Sequence, residues 1–148
     1  MKGFSFRLES VLEYKQDQLE MLQNDYVSIM EEIAQQEKKI QQMKEKKKRC
    51  QLDFDAKKTE GITPIEAVNC QNYLEQQEYL LRKEQDILEQ MKKKEKQKKE
   101  ELLESKKETL SMEKLKDIRF KEYQKASSRE TELLVEEFVS NRQSLKKK

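Results

Sequence analysis

Starting at Leu8 and stepping alternately four and three residues, the chain meets Leu12, Lys15, Leu19, Leu22, Tyr26, Ile29, Ile33, Gln36, Ile40, Met43, Lys47, Cys50 and Phe54. Only Lys15, Gln36 and Lys47 break an otherwise apolar or weakly polar series, and its phase never slips. Apolar residues recurring every 3.5 positions hold one stripe on one helix face, so this stretch reads as a coiled-coil strand. A second stretch keeps the same spacing through Ala67, Cys70, Leu74, Gln77, Leu81, Glu84, Leu88 and Met91. Tyr73, Leu80 and Ile87 lie one residue to the side and widen its stripe. The pattern then fails across Lys92–Lys99 and resumes at Leu102 or Leu103. It passes Leu110, Met112, Leu115, Ile118, Phe120 and Tyr123 in no single phase, which predicts a continuous helix whose packing face wanders.

Between the two stretches, Gly61-Ile62-Thr63-Pro64 holds the sole proline and one of only two glycines, and nowhere else can the chain turn sharply. Gly61 suits a left-handed C-terminal cap. Thr63, Pro64 and Glu66 read as N-cap, first-turn proline and capping box of the next helix. The expected fold is therefore all-α: an antiparallel two-helix coiled-coil hairpin with an overhanging second helix. It forms a single unit across residues 1–148, with arm one about 6–59, hinge 60–64 and arm two about 65–142. Folding back pairs residues whose numbers total about 124, so Phe54 meets Cys70, and Leu8 meets Leu115 or Lys116. At 1.5 Å per residue the paired arms span roughly 75–80 Å. The second arm runs about 30–40 Å further, through Leu133, Leu134 and Phe138, as an unpartnered end that invites a partner.

Composition agrees: 42% charged and 34% apolar residues, with no tryptophan, cannot fill a globular core, whereas abundant Glu, Lys, Gln, Leu and Met favour extended helix. No run approaches the roughly 18 apolar residues of a membrane span, and the amino end lacks the apolar core of a signal peptide. The expectation is a protein kept in the cytoplasm without membrane insertion. There Cys50 and Cys70, on opposite sides of the hinge, are packed thiols rather than a bridge.

The absence of histidine removes Ser-His and Cys-His nucleophiles, histidine metal sites and the usual general base, so no enzyme, metal or cofactor is expected. Two glycines cannot build a phosphate-cradling loop, and the carboxylates are spaced for i,i+4 pairing with lysines on solvated faces. Basic runs occur at Lys44–Arg49, Lys92–Lys99 and Lys146–Lys148. With a net charge of only +2, close acidic neighbours and no interleaved aromatics, a solvated helix is favoured over an acidic protein partner, and either over nucleic acid or lipid. Phe4, Phe6, Phe120, Tyr123 and Phe138 gather toward the open end, either as a receptor surface or packed on one another.

The order of several short motifs resembles the flagellar export proteins called FliJ, over nearly the whole chain. They are Phe4-x-Phe6-x-Leu8-Glu9-x-Val11-Leu12, the Gly61-Ile62 turn followed by Tyr73-Leu74, Glu113-Lys114-Leu115-Lys116-Asp117-x-Arg119, and Glu136-Glu137-Phe138 with Asn141-Arg142. The resemblance implies a non-enzymatic, soluble component of the flagellar type III export apparatus, working at the inner face of the cell membrane at the flagellar base. It further implies a hairpin similar to the stalk of the rotary ATP synthase, whose open end enters the ring of the hexameric export ATPase (FliI) and promotes its assembly and activity. The export gate protein FlhA and export chaperones are the other partners implied; nucleic acid is not among them.

Carried onto this chain by position, the ATPase contact falls on Phe4, Phe6, Arg7, Leu8, Arg119, Phe120, Tyr123, Arg129, Phe138 and Arg142. The gate contact falls near Met43, Cys50, Tyr73 and Leu80. Lys46, Cys50 and Glu84 depart from the aromatic or neutral residues the resemblance leads one to expect there. An injectisome stalk and a generic coiled-coil scaffold are the alternatives.

Overall fold

A computed structural model describes residues 3–146; Met1, Lys2, Lys147 and Lys148, and with them most of the third basic run, lie outside it. Helix α1 runs Glu9–Glu60 and helix α2 runs Pro64–Lys146, and no strand occurs among the described residues. The two helices form an all-α antiparallel hairpin. Their packing divides into two units: one holds Met21–Leu102 and the turn, the other Met1–Glu20 with Leu103–Lys148.

In the turn unit, α1 ends because Gly61 takes φ +105°, a conformation open to a residue without Cβ, and its amide donates to the Lys57 carbonyl at 3.0 Å. Helix α2 starts with Pro64 in the first position. The Thr63 Oγ1 accepts the Glu66 amide at 3.2 Å, and the Thr63 carbonyl accepts that of Ala67 at 3.0 Å. Ile29, Ile33, Ile40, Phe54, Leu74 and Leu81 are buried between the helices. Lys58 Nζ sits 4.0 Å above the Phe54 ring and covers the outer face of this core as a cation–π contact. Cys50 and Cys70 are half-buried free thiols.

Polar side chains bridge the seam at regular intervals. Gln36 Nε2 donates to both the carbonyl and Oε2 of Glu84, at 3.0 and 2.6 Å, and Lys39 reaches the other oxygen of that carboxylate at 3.1 Å. Lys47 pairs with Glu78, which also accepts from Arg82 Nε at 3.2 Å. The Tyr26 hydroxyl donates to Glu95 at 2.7 Å. In the second unit Lys15 pairs with Glu108 at 3.1 Å and Lys116 with Glu9 at 2.8 Å. In both units the partners' numbers total about 124, the register read from the sequence.

One expectation is overturned: the packing face of α2 does not wander. Beyond Met91 the least exposed positions of the turn unit are Glu95, Lys98 and Leu102. Those of the other unit are Ser105, Thr109, Met112, Leu115, Lys116, Tyr123 and Ser127, and all but Leu115 and Ser127 fall on the four-and-three spacing. The phase is carried there mostly by polar residues, with Leu102 and Met112 interspersed. Thr109 is only 2% exposed, because its hydroxyl donates to the Ser105 carbonyl at 2.8 Å and lies 3.3 Å from the Lys15 carbonyl. Glu95 is satisfied by Tyr26, and Lys98 is more than two-thirds covered while its ammonium reaches Glu101 at 3.4 Å. Leu103, Leu110 and Ile118, which pulled the apparent phase aside, are 50%, 53% and 44% exposed.

The seam of the first arm is likewise confirmed from Leu12 to Phe54 but not at Leu8, which lies in a turn before α1 and is partly exposed. Glu9 is half-buried at this end of the seam, where its carboxylate meets Lys116. From Ser128 to Leu145 every side chain of α2 is exposed, so this stretch is covered by no other part of the described chain.

Candidate functional site

The amino-terminal residues Phe4–Leu8 are not helical: the Glu9 amide donates to the Phe6 carbonyl at 3.1 Å, and α1 begins only there. This short strap lies against α2 where the register brings it. The Phe4 ring meets Phe120 edge-on with centroids 5.1 Å apart and an angle of 68°, and Tyr123 at 5.6 Å; Phe120 and Tyr123 stack at 6.4 Å and 21°. Offset and edge contacts of this kind add to the area they bury, so the three rings fix the strap to the helix.

Beside the rings opens a groove of about 860 Å³, lined by Phe4, Phe6, Leu8, Leu115 and Tyr123 together with Arg7 and Arg119. The guanidinium of Arg119 meets Glu122 at 3.3 Å, and both side chains of that pair are more than half exposed. Six of the expected ATPase-contact residues thus line one groove, and Phe120 packs against its wall. The ring-on-ring packing weighed above is realised for Phe4, Phe120 and Tyr123. Arg129, Phe138 and Arg142 stand apart on the uncovered end of α2, where Phe138 is 67% exposed beside Leu133, Leu134, Val135 and Leu145. Gly3, Ser5 and Leu115 also line the groove without having been expected there. Leu115 lies one position before the seam residue Lys116, in a stretch whose apolar residues follow no single phase.

Of the expected gate residues, Met43 and Cys50 face the seam and are half-buried, whereas Tyr73 and Leu80 stand on the flank of α2, at 38% and 37% exposure. With Ile87, seven residues on from Leu80 and 38% exposed, they form an apolar edge along one side of the turn unit. Cys50 and Tyr73 share a shallow groove with Phe54, Cys70 and Leu74.

The charged groups of this unit are tuned by their seam partners. The Glu78 carboxyl is held below its ordinary value by hydrogen bonding to Lys47, and Glu84 by Gln36 and then Lys39. The Tyr26 phenol is pushed up by its bond to the Glu95 carboxylate. Among the described residues no cluster of His, Cys, Asp or Glu could hold a metal ion. No helix there is long and apolar enough to cross a membrane.

Comparison with curated proteins and with solved structures gives no significant match. Comparison with protein families does: the family described as the flagellar FliJ protein matches residues 4–148, a span holding the strap, both helices and the uncovered end. The chain therefore belongs to the flagellar FliJ family, whose members are non-catalytic components of the flagellar export apparatus.

Proposed function

We propose that this chain is the stalk and adaptor of the export ATPase, engaging the pore of the hexameric ring (FliI) through the unit that carries Phe4–Leu8 and the end of α2. The observation that carries this reading is the run from Ser128 to Leu145, in which Leu133, Leu134, Val135, Phe138 and Leu145 are each more than half exposed. A helix bearing such side chains without a partner is expected to be completed by a protein surface, as an amphipathic helix is by a groove. The groove and rings on the same unit extend that contact to Phe4, Phe6, Arg7, Leu8, Arg119, Phe120 and Tyr123, and the exposed guanidiniums of Arg129 and Arg142 extend it along α2.

The other unit is assigned to the gate protein FlhA. The apolar edge of Tyr73 and Leu80 offers the contact, and Met43 and Cys50 support it from the seam. Export chaperones are further partners, and the place of action is the inner face of the cell membrane at the flagellar base. Family membership favours this flagellar role over an injectisome stalk or a generic scaffold.

Adding the purified chain to the export ATPase of the same organism is expected to raise ring formation and ATP hydrolysis. The double variant Phe120→Ala/Tyr123→Ala is expected to lose most of that increase while keeping its helix content. An ATPase that responds to neither protein would refute the stalk assignment.

A further inference from the structure

The groove beside the aromatic rings combines two chemistries. Its lining is mostly apolar, from Phe4, Phe6, Leu8, Leu115 and Tyr123; Arg7 and Arg119 also line it, and no acidic side chain does. A guanidinium offers a planar fork of donors that fits a carboxylate with two parallel hydrogen bonds. Glu122 already meets Arg119, but at 59% and 60% exposure the two side chains form a water-exposed pair that an incoming carboxylate can replace at little cost. About 860 Å³ of open space with a largely apolar lining accommodates a large side chain beside those forks.

We infer that the groove receives a segment of the ATPase ring carrying an aromatic or long aliphatic side chain flanked by carboxylates, with the apolar side chain against the apolar lining and the carboxylates on Arg7 and Arg119. The inference rests on the stalk reading above and specifies what the ring must present. Phosphates of a nucleic acid would suit the same guanidiniums. A formal net charge of +2, with acidic residues interleaved along both helices, provides little of the field such a polyanion requires.

The full-length chain is titrated with two synthetic helical peptides of identical Leu and Phe content, one with glutamates and one with lysines beside them, and with a single-stranded oligonucleotide. Amide chemical shifts of residues 3–8 and 115–123 report binding. The glutamate peptide is expected to bind about tenfold more tightly than the lysine peptide, and Arg7→Glu/Arg119→Glu to reverse that preference. Arg7→Lys/Arg119→Lys is expected to keep the preference at weakened affinity, and the charge-matched control Lys93→Glu/Lys96→Glu to leave it unchanged. Equal binding of both peptides, or tighter binding of the oligonucleotide, overturns the inference.

Ring assays separate it from the reading beneath it. If the wild-type chain raises ATP hydrolysis and Arg7→Glu/Arg119→Glu raises it equally, the inference fails and the stalk reading stands. If the wild-type chain has no effect, the stalk reading fails, and the peptide preference still reports on the groove.

Discussion

Thr109 shows what a single position does in a seam this thin. Its methyl fills the core position while its hydroxyl bonds within α2 and lies near the Lys15 carbonyl of α1, so it is covered more completely than any leucine of the second unit. Thr109→Val keeps the shape and removes the hydroxyl, and is expected to cost about 1 kcal/mol in urea unfolding. Ile33→Ala, which leaves a void between two helices able to close partly over it, is expected to cost about 2 kcal/mol or more. An Ile33→Ala protein as stable as wild type would mean that this seam does not hold the fold.

These positions also mark where the sequence was readable. Ile29, Ile33, Ile40, Phe54, Leu74 and Leu81 announced themselves by hydrophobicity. Glu95, Ser105 and Thr109 did not, because a polar residue carries no sign in the sequence that a partner across the seam will satisfy it.

At the scale of the helices, the turn and the ionic clasps govern stability. Gly61 has open space where a Cβ would lie, so Gly61→Ala meets no clash and pays only for its backbone angle of +105°. A loss of about 1 kcal/mol is expected, with the hairpin retained.

The clasps give a pH dependence of definite sign. Glu78 and Glu84 titrate below their ordinary range when folded, so their contribution is complete above the unfolded value and is lost as pH falls through the folded one. Tyr26 titrates above its ordinary value, so its contribution is complete below that value and is lost as pH rises through the folded one. The melting temperature is therefore expected to fall on both flanks, and Glu78→Gln/Glu84→Gln to flatten the acid flank. An acid flank of unchanged steepness in that variant would assign it to other carboxylates. The bounds of both helices were close to legible, since caps and breakers are local. The non-helical strap was less so, because Phe4 owes its position to Phe120 and Tyr123 more than a hundred residues away.

For the molecule as a whole, hairpin and register followed from one turn and one repeating pattern. The assembled groove did not: it needs Leu115 and Arg119 from α2 beside a strap whose path no periodicity describes. The functional account rests on the end of α2, where exposed side chains from Ser128 to Leu145 contribute nothing to internal packing. A chain ending at Ser127 should consequently melt within a few degrees of the full protein, since it loses no buried side chain. The most direct test is the rate of ATP hydrolysis by the export ATPase ring, titrated in parallel with the full chain and with this shortened one. The account predicts stimulation by the full chain and little or none by the shortened chain at equal fold stability; equal stimulation by both would contradict it.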